Sequence, residues 1–147
     1  MKIHDIMTRD PSCVTPNATI REAAQVMKRQ DIGMVPVVDG NDSMTLVGII
    51  TDRDIAIRCI ADGRDATVRV NDCMSTGKLA TCRENDEVDS AMDTMRAEQV
   101  RRIPIVDERG SLVGIVAQAD IVRKTKNAAK SGDTVEQISQ PGGRHSR

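Results

Sequence analysis

Apolar positions along the chain alternate between two periods. Ile20, Ala23, Ala24 and Met27 recur three or four residues apart, the spacing of one helix face. Thr19 with Glu22 three residues on predicts a capping box, so a helix runs from there to about Gln30, its Arg21, Glu22, Lys28 and Arg29 face in water. Ile32 to Val38 is instead a continuous apolar run of strand length, closed by the Asp39-Gly40 turn signal, and Pro36 within it predicts an edge or a bulge. Leu46 to Ile50 is a second strand, and Asp54 to Ala61 a helix that Gly63 stops. With Cys13-Val14-Thr15 as a short leading strand, the order is strand, helix, strand, strand, helix.

The same order returns. Ile20 with Val88, Ala23 with Ala91, Met27 with Met95, Pro36 with Pro104 and Asp39 with Asp107 are each 68 residues apart. Gly48 with Gly114 and Asp54 with Asp120 are 66 apart, because the turn around Asn41 to Thr45 is two residues longer than its counterpart. The repeat predicts a strand near Leu79 to Cys82, a helix from Val88 to Glu98, strands at Ile103 to Val106 and Leu112 to Val116, and a last helix from Gln118 to Lys126. The expected organisation is a first repeat over 1–63, a polar connector over 64–69, a second repeat over 70–127 and a mobile polar tail over 128–147, with its Pro141-Gly142-Gly143 breaker.

Chemistry concentrates where Gly48-Ile49-Ile50 runs into Thr51-Asp52-Arg53-Asp54. A strand ending there hands over to a helix whose first turn carries the Thr51 hydroxyl and the Asp54 carboxylate, beside free backbone N–H groups and the positive end of the helix dipole. Such a place can hold an anionic or hydroxyl-rich ligand. The plainer reading is that Thr51 or Asp52 only caps the helix. Recurrence of the stretch as Gly114-Ile115-Val116-Ala117-Gln118-Ala119-Asp120 favours a site.

Composition narrows the choice. A net charge of −1 argues against general nucleic-acid binding, and with no Phe, Tyr or Trp there is no platform for base stacking. No apolar segment is long enough to span a membrane and the N-terminus lacks the apolar run of a signal peptide, so a cytoplasmic protein is expected. Cys13, Cys59, Cys73 and Cys82 form no CxxC pair and have no His at metal-ligand spacing, which predicts reduced core thiols and no metal site. A core of aliphatic residues and eight Met would leave a bound ring between aliphatic groups.

Two β-α-β-β-α units, each with Val-Pro-Val or Ile-Pro-Ile in a strand and a closing Gly-Ile-Ile-Thr-Asp-Arg-Asp or its variant, resemble the CBS (cystathionine β-synthase) domain family over roughly Ile3 to Lys124. In particular the chain looks like the small stand-alone bacterial proteins made of one CBS pair, the hypoxic-response type among them. The resemblance implies an α/β (α+β) fold of tandem repeats packed as a pseudo-twofold Bateman module. It also implies two clefts between the repeats that take adenosine-containing ligands: AMP, ADP, ATP, NAD, S-adenosylmethionine or a cyclic dinucleotide. By the same resemblance Asp54 bonds the ribose hydroxyls and Thr51 supports ribose or phosphate. Ile49 packs beside the base, and Ser75, Lys78, Ala80, Val100 and Arg101 complete that cleft. Arg53, Arg101, Arg102 and Lys78 are candidates to meet phosphates. Asp120 with Thr8, Asp10, Ser12, Ile32 and Gly33 makes the second cleft, where Ala117 replaces the hydroxyl residue and should weaken binding by about 0.5–1.5 kcal/mol.

The function implied is a non-catalytic sensor that binds an adenine nucleotide, without an obligatory cofactor, as a homodimer and with a protein partner that reads the bound state. The alternative is a ligand-free structural or interaction module with vestigial clefts. An enzyme is disfavoured by the lack of a Ser-His-Asp or Cys-His arrangement and of a Walker-type phosphate loop.

Overall fold

The computed structural model describes residues 1–130, with side chains described through Asn127; the tail expected beyond Ser131 lies outside the described residues. Among the described residues, six strands and four helices follow in the order β1 (Thr8–Arg9), α1 (Ile20–Gln30), β2 (Met34–Val38), β3 (Leu46–Thr51), α2 (Asp52–Asp54, continuing as a π-helix over Ile55–Ile60), β4 (Cys82–Arg83), α3 (Val88–Glu98), β5 (Arg102–Val106), β6 (Leu112–Ala117) and α4 (Gln118–Lys130). Short 3-10 turns at Ile3–Asp5 and Val70–Asp72 occupy matching places at the start of the two repeats.

The chain divides into two compact units. The first combines Met1–Pro11 with Ala80–Glu108 and the chain from Val113, and the second combines Ser12–Leu79 with Arg109–Leu112. In the first unit the sheet order is β1-β6-β5-β4, with β1 antiparallel to β6 (Thr8 opposite Ile115) and β4 parallel to β5 (Cys82 opposite Ile105). Ile3, Ile6, Val88, Ala91, Met95, Ile103, Ile105, Val116 and Ile121 close its core. In the second unit β2 and β3 form an antiparallel pair with Pro36 opposite Ile49, and Val14, Ile20, Ala23, Val35, Val37, Ile50, Cys59, Val70 and Cys73 form the core. The leading segment of each repeat thus folds with the body of the other: Met7-Thr8 lies against Gly114-Ile115, and Met74-Ser75 against Gly48-Ile49.

Local chemistry explains the elements. Thr19 caps α1 by accepting the Glu22 N–H at 3.2 Å, while the Glu22 side chain stays exposed. α1 and α3 end at Asp31 and Gln99, both left-handed (φ 53° and 54°), the conformation that frees the next turn from the helix. Pro36, fully buried, is tolerated because its missing N–H falls on the side of β2 that meets only the one-residue bridge to Val14; there the Val14 N–H donates to the Pro36 carbonyl at 3.1 Å. The register shift between Val37 and Val38 is the bulge expected near it. The leading strand at Cys13 to Thr15 is reduced to that bridge, and α4 runs four residues past Lys126. Burial pushes the Cys13, Cys73 and Cys82 thiols above their ordinary pKa, with Cys59 adding to the effect at Cys73, so these side chains stay protonated apolar groups.

Gly48 and Gly114 are required by close approach. A Cβ at Gly48 would stand 2.9 Å from the Ser75 carbonyl oxygen and 3.0 Å from the Met74 sulfur, and one at Gly114 would stand 2.9 Å from the Thr8 carbonyl oxygen and 2.8 Å from the Met7 sulfur. Gly48→Ala is therefore expected to cost about 1–3 kcal/mol, read as a lower urea midpoint, with Gly114→Ala similar. Unchanged midpoints for both would show that the leading segments can move away freely.

Candidate functional site

In the second unit, β3 delivers Thr51 to the start of α2. The Thr51 Oγ1 accepts the Asp54 N–H at 3.0 Å, and Asp54 Oδ2 accepts the Thr51 N–H at 3.0 Å. This reciprocal capping box satisfies two backbone donors and fixes the Asp54 side chain at the positive end of the helix. The Asp52 N–H donates to the Gly33 carbonyl at 3.0 Å, tying the helix start to the turn before β2.

The leading segment of the second repeat closes the other side. Ile49 and Ser75 exchange backbone hydrogen bonds of 3.0 and 2.8 Å, and the Ser75 hydroxyl lies 3.4 Å from each Asp54 carboxylate oxygen. Arg58, one turn further along α2, places its Nε 3.8 Å from Asp54 Oδ1 and donates from Nη1 to the Met74 carbonyl at 3.4 Å. The Asp54 side chain is 12% exposed. A carboxylate has about four lone-pair directions, and the Thr51 N–H takes only one at short range. Asp54 is thus a held acceptor with capacity left for hydroxyl donors.

Of the remaining residues expected at a site, Ser12 and Lys78 are exposed and Ile32 is half-buried in this unit. In the first unit, the Gln118 N–H donates to the Arg101 carbonyl at 2.8 Å, as Asp52 does to Gly33. Asp120 has no hydroxyl partner at Ala117. Its Oδ1 instead accepts from Arg123 Nη2 at 2.7 Å, and its side chain is 22% exposed. Thr8 on β1 and Asp10 are exposed, and Ala80, Val100 and Arg101 are half-buried. The Arg101 Nε is a buried donor with no acceptor. The sequence reading passed over Arg58; its i,i+4 spacing from Asp54 was the available signal. Among the described residues no three His, Cys, Asp or Glu are placed to hold a metal ion, and no helix is long and apolar enough to cross a membrane.

The repeated Gly-to-Asp stretch, each copy ending a strand and opening a helix, coincides with the match of the CBS domain model to residues 3–59 and 70–127. This chain belongs to the CBS domain family. It is similar to the CBS domain-containing protein YhcV of Bacillus subtilis, 40% identical over 137 residues, which cover 93% of this chain and 94% of that protein. Hypoxic response protein 1 of Mycobacterium tuberculosis is 36% identical over 119 residues, 81% of each chain. The crystal structure of Hypoxic Response Protein I with two coordinated zinc ions covers 84% of this chain and 98% of its own, with a TM-score of 0.74. The CBS domain pair of protein MJ0100, solved with 5'-methylthioadenosine and S-adenosyl-L-methionine, is 29% identical, covers 87% of this chain and 98% of its own, and gives a TM-score of 0.73. The fold is therefore a mixed α/β CBS pair, as in the Bateman modules it matches.

Thr51→Ala removes the acceptor for the Asp54 N–H and is expected to lower stability by about 1 kcal/mol. Ala117→Thr tests the converse in α4 and should not lower stability. Thermal melts of both variants provide the measurement, and an unshifted Thr51→Ala melt would show that the cap contributes nothing.

Proposed function

We propose that the protein is a non-catalytic sensor that binds an adenosine-containing ligand at the Thr51–Asp54 site, with Asp54 accepting hydrogen bonds from the ribose 2'- and 3'-hydroxyls. The observation that carries this reading is a carboxylate held at a helix start by Thr51 and Ser75 and only 12% exposed. Two hydroxyl donors on one ionised acceptor give charge-assisted bonds, which suits a cis-diol. Support comes from the relatives solved with such ligands, 5'-methylthioadenosine and S-adenosyl-L-methionine in MJ0100 and AMP in CBSX2. AMP, ADP, ATP, NAD and S-adenosylmethionine are the candidates, and Ile49, Ser75 and Lys78, in the same unit as Asp54, are proposed to complete its surroundings.

Asp120 is the corresponding acceptor in the other unit, where Thr8 and Asp10 are proposed to join it. Lacking a hydroxyl at Ala117 and paired with Arg123, it should bind more weakly. The orphaned Arg101 Nε is a donor suited to a ligand oxygen. Ala80, Val100, Ser12, Ile32 and Gly33 remain proposed contacts. Binding would bias one conformation of a cytoplasmic homodimer, and a protein partner would read that state. One observation favours the alternative, a ligand-free interaction module: the capping box already gives Thr51 and Asp54 a structural task.

Titration calorimetry with AMP, ADP, ATP, NAD and S-adenosylmethionine separates the two. At least one should bind saturably and raise the melting temperature with concentration. Asp54→Asn, which keeps an amide oxygen to accept the Thr51 N–H, should weaken that ligand about tenfold or more. Absence of saturable binding, or equal affinity in the variant, removes the sensor.

A further inference from the structure

We propose that Arg58 makes the Thr51–Asp54 site selective for adenosine ligands that carry a phosphate over neutral ones. This rests on the ribose-binding role proposed for Asp54 and adds the charge class of the ligand. Alone, the Asp54 carboxylate would repel a phosphate a few ångströms away. Arg58 offsets that charge: its Nε stands 3.8 Å from Asp54 Oδ1, and its Nη1 donates to the Met74 carbonyl at 3.4 Å. The guanidinium is thus held by acceptors on two elements, the helix and the leading segment that also bears Ser75. It has five N–H donors, so these contacts leave several for another acceptor, and at 53% exposure the side chain is open to one. The planar guanidinium fork can donate to two phosphate oxygens at once.

A bare i,i+4 surface pair would be worth little and would imply nothing. Two observations go beyond that. The bond to Met74 spans 16 residues and fixes the head group across elements. The other repeat also sets an arginine on its aspartate, Arg123 on Asp120 at 2.7 Å, from a non-equivalent position: the residue matching Arg58 is Lys124, and the one matching Arg123 is Ile57. An arginine on the carboxylate recurs although the aligned positions do not keep it.

The test is calorimetry of the full chain with adenosine and with AMP, for wild type, Arg58→Met and Arg58→Lys. Wild type should bind AMP about tenfold or more tighter than adenosine. Arg58→Met should bring that ratio to about one, and Arg58→Lys, which keeps the charge and loses the fork, should fall between. A thermal melt of each variant reports that it is folded. A wild-type ratio near one, or an unchanged ratio in Arg58→Met, overturns the role of Arg58 while adenosine binding sensitive to Asp54→Asn leaves the sensor standing. Binding of neither compound overturns the role of Arg58, and the sensor then stands or falls on the titration with ADP, ATP, NAD and S-adenosylmethionine.

Discussion

Backbone on backbone contact at two glycines governs this molecule. Each repeat carries within its third strand a glycine over which the leading segment of the other repeat lies, close enough that a methyl group would meet a carbonyl oxygen at 2.9 Å. Bare backbone there lets Ile49 and Ser75 exchange two hydrogen bonds, and lets Thr8 pair with Ile115. Those pairings fix where Ser75 sits, and Ser75 in turn faces Asp54. The position of the candidate ligand-binding carboxylate therefore traces back to the absence of a side chain six residues earlier in sequence.

Asp54 carries two tasks that draw on the same charge. One oxygen closes the capping box and stabilises the helix start, while the carboxylate as a whole remains a nearly buried acceptor. These tasks are compatible because a carboxylate accepts more bonds than a cap consumes. Asp120 has lost the hydroxyl half of the arrangement at Ala117 and engages Arg123. The two copies thus share a backbone framework and differ in the chemistry presented on it.

Much of this was legible in the sequence for physical reasons. Helical spacing and the repeat placed α1 and α3 about where they lie, because their buried positions Ile20, Ala23 and Met27, and Val88, Ala91 and Met95, are the apolar ones at that spacing. The pairing of Thr51 with Asp54 followed from the known chemistry of helix starts. The leading strands were harder. Cys13 to Thr15 reads as a strand but makes one bridge, and β4 begins at Cys82 where Leu79 was expected, because so short a strand depends on its partner rather than its own residues. The exchange of leading segments, which sets Ser75 beside Asp54, was implied by the family resemblance alone, since it resides in contacts far apart in the chain that no local pattern carries. For Arg58 the i,i+4 spacing from Asp54 is a weak local signal, and its bond to the Met74 carbonyl, 16 residues away, is visible only in the folded chain.

The wider winding of α2 after Asp54 has a consequence for comparing the two halves. Over Ile55–Ile60 the backbone bonds skip an extra residue, as in the bond from the Ala61 N–H to the Ala56 carbonyl, whereas α4 follows ordinary α-helical pitch. Residues that correspond by count then point in different azimuths around their axes. Homology by numbering is a faithful guide up to the aspartate and misleads beyond it, so the divergence of the duplicated copies past that point is one of angle as much as of side-chain identity.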